Sequence, residues 1–445
     1  MKITTIAGTF FGAALSLAAT PTLAAMGNAP STYGVLPHDV ATAQALSLFS
    51  TQVSSVYYNP AALARDGRGE LTGGLFHADH TLRAESLGGA APAQRSGSVL
   101  DDTPSQQLLL GLKTDLSNLT TFRHPLYLGF MLGSERYAQE MLAFNAETSE
   151  FGQFLHYGRQ PLFLSIGVGT QLWRGINFGA ALRLTLHSDA KLYTETNLQG
   201  DTRRERLDVT AEPVLRPILG FHVNMGETFC SVQDCWMDHL DIALGYRGYS
   251  NTRVRVDAEA EIPGTVTGPG LELAIRAIDS FQPEITTLGI QYAFAGRTRV
   301  GLTGEYQTWQ RLSREFEGDT VRDQAEARFR DIVIPRLGLE HDVSEHFTVK
   351  TGAAWERSAL RSTRTPDVNY LDNDKLVLGL GLSVVAHRLP FMAHPVQIDV
   401  GYQFHHLKHR EFDLVTSDPS DPDPLETVRA KGEVHVFAGS VTLRF

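Results

Sequence analysis

The sequence predicts an all-β fold: a fourteen-stranded antiparallel transmembrane β-barrel plugged by an N-terminal hatch. Three observations predict it. First, apolar and polar residues alternate in segment after segment beyond residue 68, and a period of two is the signature of a strand. Second, the polar set includes Arg183, Asp241, Arg247 and Asp399. A soluble sandwich core rejects such charges, whereas a barrel lumen accepts them. Third, Val434 to Phe445 alternates a mostly apolar face (Phe437, Val441, Leu443, Phe445) with a more polar one and ends on an aromatic residue, which suits a transmembrane strand.

Residues 1–24 read as a secretory signal, with Lys2 at the start, an apolar run over 6–19 and small residues at Thr22, Ala24 and Ala25. Beyond it no apolar run approaches the ~20 residues a spanning helix needs, so membrane crossing falls to a closed barrel. Residues 25–68 do not alternate. A segment of this size ahead of a barrel has the lumen as its one roomy place, which makes it a plug. Near its end Asn59 precedes Pro60 and Ala61, the signature of an N-cap followed by proline in the first helical position.

Residues 69–445 form the barrel, with candidate strands at 69–84, 105–116, 124–134, 160–172, 175–193, 208–225, 238–257, 281–295, 298–313, 329–342, 346–360, 374–388, 395–411 and 431–445. Leu162, Leu164, Ile166 and Val168 oppose Ser165, Gly167 and Gly169. Leu240, Ile242, Leu244 and Tyr246 oppose Asp241, Gly245 and Arg247. Short turns after strands four, eight and ten, and longer polar connections after the odd-numbered strands, are the outer-membrane pattern.

Two of the long connections are apolar. Residues 137–157 hold Met141, Leu142, Phe144, Phe151 and Phe154, and 271–281 hold Leu271, Ile275, Ile278 and Phe281 at helical spacing. They predict a greasy landing groove for ligand, or loops packed on each other over the barrel mouth. Arg203, Arg204 and Arg206 are expected in the loop after strand five, where lipopolysaccharide phosphate is the natural partner.

A net charge of −11 argues against nucleic acid. Cys230 and Cys235 are the only cysteines. In an exported chain so close a pair reads as a disulfide, worth roughly 2 kcal/mol for a loop this short, in the turn between strands six and seven. Two thiols alone make a poor zinc site. His405, His406 and His409 read as polar aromatics at an external strand end rather than as metal ligands, with His405 and His409 on one face. The chain holds no G-x-S-x-G elbow, H-E-x-x-H pair or phosphate-binding glycine loop, so no enzyme, catalytic residue, metal or cofactor is expected.

These residues resemble the long-chain fatty-acid outer-membrane transporters, the FadL family with TodX and other hydrocarbon channels. The resemblance covers essentially the whole mature chain. It is strongest at Asn59-Pro60-Ala61, where the family closes its hatch on an NPA motif. Echoes follow at Ala243-Leu244-Gly245-Tyr246-Arg247, Tyr306-Gln307-Thr308-Trp309, Phe329-Arg330-Asp331, Thr351-Gly352-Ala353-Ala354 and Asp399-Val400-Gly401. It implies passive uptake of fatty acids or other hydrophobic small molecules across the outer membrane of a Gram-negative cell. The implied partners are that ligand, outer-membrane lipid and lipopolysaccharide, and the barrel-assembly machinery, with the protein a monomer. It also implies sideways exit at a kinked third strand, for which Gly133 is the candidate. The family's carboxylate clamp departs here: Thr194 and Ala325 stand where it has basic residues, leaving Lys191, Arg322 and Arg328 as possible headgroup contacts. The alternatives are a polar-solute porin and a barrel-borne surface adhesin or enzyme.

Overall fold

Alternation becomes wall. The computed structural model describes residues 25–26, 28–89, 104–119, 121–137, 162–196, 202–230, 235–260, 271–317, 327–365, 372–388, 392–414 and 426–445, with backbone alone at 25–26, 186–196, 202–212, 252–260, 271–280, 365 and 414. Fourteen antiparallel strands close on themselves. They are β1 (Glu70–Gly88), β2 (Ser105–Asp115), β3 (Leu126–Arg136), β4 (Leu162–Trp173), β5 (Ile176–Thr196), β6 (Thr202–Asn224), β7 (Leu240–Arg247), β8 (Ile285–Phe294), β9 (Thr298–Gln307), β10 (Ile332–Asp342), β11 (Phe347–Glu356), β12 (Lys375–Ala386), β13 (Val396–Leu414) and β14 (Glu426–Arg444). Each strand pairs with the next, and β14 returns to β1 with Thr72 opposite Thr442. Gly69 and Phe445 exchange backbone hydrogen bonds at the foot of that seam.

The outer face is apolar. Leu75, Leu108, Leu110, Leu302 and Val400 are all more than half exposed, a surface that hydrocarbon covers and water would not. The inner face changes character along the strands. At the end where the connections are short, here the turn end, it is polar: Glu70, Thr72, Lys113, Asp241, Lys350, Asp399 and Thr442 are all buried there. Toward the opposite, loop end it turns apolar on β13, β14 and β1, with Phe76, Ala78, Leu82, Leu407, Val428, Val434 and Val436 buried in one cluster.

Residues 28–66 lie inside the wall. Five short helical turns, Ala29–Thr32, Pro37–Ala41, Ser47–Phe49, Ser55–Tyr58 and Pro60–Arg65, carry this segment through the lumen, and most of its side chains are buried. The wall supplies what its many backbone groups lack: Arg336 donates to Ala43 O at 3.0 Å, Gln403 to Val40 O at 3.0 Å and Lys113 to Thr51 O at 3.0 Å. Buried carbonyls need such partners.

Several sequence expectations are corrected. Residues 271–281 form no helix. Leu271–Gln282 is a strand, paired antiparallel with Ser250–Ala260 and parallel with Ala25–Met26 in a separate small sheet. The seventh strand therefore ends at Arg247, and the chain leaves the wall there. Arg203, Arg204 and Arg206 belong to β6 rather than to a loop, because β5 and β6 pair up to Thr196 and Thr202. His405 is buried while His409 is exposed, since a register shift between Leu407 and Arg410 breaks their common face.

Candidate functional site: the plug seat and the apolar upper lumen

Asn59, Pro60 and Ala61 sit at the centre of the first seat. Asn59 is fully buried. Its Oδ1 accepts from Ala61 N–H at 3.3 Å, capping the 3-10 turn that begins at Pro60, and its Nδ2 donates to Leu48 O at 2.9 Å. One side chain thus closes a helix end and ties together two parts of the plug. Beneath the motif the wall is bare. Gly169, Gly179, Gly220 and Gly245 are direct cross-strand partners on β4, β5, β6 and β7. A methyl on any of them would come within 3.0 Å of the plug: at Pro60 O, Ala61 N, Asn59 Oδ1 and Tyr58 O respectively. Glycine is needed here for close approach of two backbones. The alternation marked Gly169 and Gly245 as opposite the apolar face; that four glycines form a row under the motif depends on strand register and was missed.

A second row, Gly301, Gly338, Gly352 and Gly379, crosses β9 to β12 in register. Its glycines make room for Leu46, Ala45, Thr42 O and Ala41 O. In the plug segment above it Ala43 and Gln44 have φ of 47° and 64°. That is the left-handed region, which costs a non-glycine residue roughly 1–2 kcal/mol.

Above the first seat two tyrosines of the plug face buried cations. The Arg247 guanidinium lies 4.9 Å from the Tyr57 ring and 5.4 Å from that of Tyr58, and Arg183 lies 4.1 Å from the Phe163 ring. Arg183 pairs with Glu135 at 2.9 Å; Arg247 and Arg336 share Glu305 at 2.6 and 3.4 Å. Desolvated cation–π contacts reach about 2 kcal/mol.

Below the plug a polar cavity of about 390 Å³ opens at the turn end, lined by His38, Arg65, Asp241, Arg299, Glu340 and Lys350 among others. Arg65 closes the plug's end by bonding Phe49 O at 3.0 Å and Asp241 at 2.9 Å. Asp66 follows. Burial alone would raise its carboxyl, but hydrogen bonds from the Arg68 side chain and backbone bring it down to about 2.

Above the plug the lumen is filled by apolar side chains. Tyr33 of the plug meets Phe76 and His405 at ring distances of 5.7 and 5.4 Å, and donates or accepts a 2.7 Å bond with His80. Phe281, Trp309, Leu312, Phe316 and Phe329 close the same cluster from the loop end. Three of these flank or lie on a short helix, Gln310–Phe316. The helical spacing of Trp309, Leu312 and Phe316 was the available signal; the anticipated ninth strand, 298–313, ran over the first two of them.

Of the other anticipated residues, Phe281 is fully buried against Trp309 at 5.8 Å. Met141, Leu142, Phe144, Phe151, Phe154, Arg322 and Ala325 lie outside the described residues, as do the side chains of Lys191, Thr194, Leu271, Ile275 and Ile278. Arg328 donates to Ala327 O at 3.3 Å, near the β9–β10 connection. Gly133 is not a break in the wall. Its pairs with Leu109 and Phe163 belong to unbroken ladders on both sides, and the Phe163 ring occupies the space a side chain would need. Cys230 and Cys235 are bonded to each other in the β6–β7 connection.

No protein-family model matches the chain. It is 48% identical to alkane uptake protein A of Marinobacter nauticus over 431 residues, covering 96% of this chain and 93% of that protein. Among solved structures it resembles a FadL homologue from Pseudomonas aeruginosa, at a TM-score of 0.60 and 14% identity, covering 95% of this chain and 99% of the other. It also resembles the Pseudomonas putida toluene transporter TodX, at 0.52 and 12%, covering 93% and 99%. At such identities the two structures establish a shared barrel fold. The chain belongs to the family of alkane uptake protein A, built on the closed barrel that the FadL homologue and TodX share.

Proposed function

We propose that this protein is a passive outer-membrane channel that takes up hydrophobic small molecules, hydrocarbons foremost, and that residues 28–66 are its gate. The observation that carries the reading is the apolar inner wall of β13, β14 and β1 above a seated plug. A porin for polar solutes needs a polar, open lumen; this one is blocked by the plug and apolar above it. The kinship with a protein named for alkane uptake supports the same substrate class. Met141, Leu142, Phe144, Phe151 and Phe154, with Leu271, Ile275 and Ile278, would collect ligand outside, and Lys191, Arg322 or Arg328 would meet any polar head. Lipid and lipopolysaccharide surround a monomeric barrel, and no reaction is catalysed.

Binding rests on apolar burial at about 0.8 kcal/mol per methylene, so a long alkyl chain needs no carboxylate clamp. We expect a long-chain fatty acid and the matched alkane or alcohol to bind within about a hundredfold of each other, roughly 2.7 kcal/mol. Titration of the purified protein at neutral pH checks this. A larger preference for the acid points to a basic clamp, and absence of binding by all three removes the proposed substrate class.

A further inference from the structure

Two large apolar side chains stand out from the rim at the turn end. Phe229 and Trp236 flank the Cys230–Cys235 disulfide and are 60% and 70% exposed. The β6–β7 connection that carries them is tied down on both sides. Asn224 caps the helical turn Met225–Phe229 by accepting from Glu227 N–H at 2.8 Å. Thr228 donates to Arg174 O in the β4–β5 turn at 3.0 Å, and His239 O accepts from Ala293 N–H of β8 at 3.0 Å. Both aromatics are held out on a braced support.

The neighbouring rim identifies what covers them. Trp173 at the end of β4 and Phe294 at the end of β8 are also more than half exposed. Tyr292 packs on Phe294 at 4.7 Å and His239 on Tyr292 at 6.2 Å. Aromatic girdles of this kind mark the membrane–water boundary, and the connection continues this one. Glu227 and Phe229 are two residues apart on a helical turn, roughly 200° around the axis, so the carboxylate can face water while the ring faces lipid.

We propose that the disulfide-braced connection is a membrane foot, which inserts Phe229 and Trp236 into the headgroup–acyl boundary of the turn-end leaflet and extends the aromatic rim of Trp173, Tyr292 and Phe294. The proposal rests on the membrane placement made under the proposed function. The test uses the full-length protein in nanodiscs of plain or brominated phosphatidylcholine. The fluorescence lost in Trp236→Phe, and separately in Trp173→Phe, is read against bromolipid and against aqueous iodide. We expect the Trp236 component to fall at least twofold in brominated discs and to change little with iodide. Quenching by iodide but not by bromolipid would place Trp236 in water or against a soluble partner, and quenching by neither would place it against the protein; both outcomes overturn the foot. Trp173 separates the two readings. If it is quenched by bromolipid while Trp236 is not, the foot alone fails. If neither is quenched by bromolipid, the membrane placement fails with it.

Discussion

The plug rests on two glycine rows, and they hold it in different ways. On β4–β7 the motif Asn59-Pro60-Ala61 is relaxed: its turn is capped, and Arg65 ties its end to Asp241. On β9–β12 the contacts are as close, but the plug bends through Ala43 and Gln44 in left-handed conformations. Arg336 holds Ala43 O, and Gln44 reaches back to Ser31 O and Thr32 O at 3.1 Å. One seat is an anchor; the other stores strain. Strain of this kind persists only where the surroundings over-determine it, so movement of the plug is expected to start at the β9–β12 seat and to leave the anchor last.

The largest expected effect comes from filling the anchor. Gly220→Val places two methyls where Asn59 lies and should unseat the plug's end, at a cost above the usual 1–3 kcal/mol of an overpacked core. Trypsin cleavage at Arg65 in the folded, purified barrel reads this, with Gly352→Val at the strained seat as comparison. Faster cleavage in the Gly352 variant than in the Gly220 variant would reverse the assignment of anchor and strained seat.

Asn59→Ala comes next. It removes the cap, typically about 1 kcal/mol, together with the bond to Leu48 O. We expect reduced hydrocarbon uptake with normal barrel assembly. Uptake equal to that of the unmodified protein at matched surface level removes the gating role of this residue.

The smallest effect sharpens the comparison from the other side. Ala43→Gly relieves a left-handed alanine and should stabilise the seated plug by up to about 1 kcal/mol. Hydrogen exchange of the plug amides should slow, and uptake with it. Exchange that is unchanged or faster means that the β9–β12 seat is not where strain is held.

The wall was legible because its periodicity is local. Each of the fourteen strands overlaps a segment anticipated from alternation. What failed were places where both periods fit or where register decides. Leu271, Leu273 and Ile275 alternate with Glu272, Ala274 and Arg276 as well as they match a helical stripe, and a short apolar run cannot arbitrate. The histidines were separated by an irregularity that no residue type announces. At the site, the cap at Asn59 was readable from three adjacent residues. Its seat was not, because Gly169 and Gly245 lie more than a hundred residues beyond the motif and meet it only once the barrel closes.

That closure carries a consequence for how the chain reaches its native state. The seam joins β14 to β1, and the Thr72–Thr442 bond links positions 370 residues apart in sequence. Every other adjacent pair of wall strands is consecutive along the wall, although the small sheet of Ser250–Ala260 and Leu271–Gln282 is inserted between β7 and β8; the β14–β1 pair must wait for the rest of the wall. Long-range pairing of this kind is slow. Until it forms, β1 and β14 both present unpaired edges, each a template for joining another chain. The plug gains its seats only as the wall curves round it, so the step that removes the two edges also fixes which side of the wall residues 28–66 occupy.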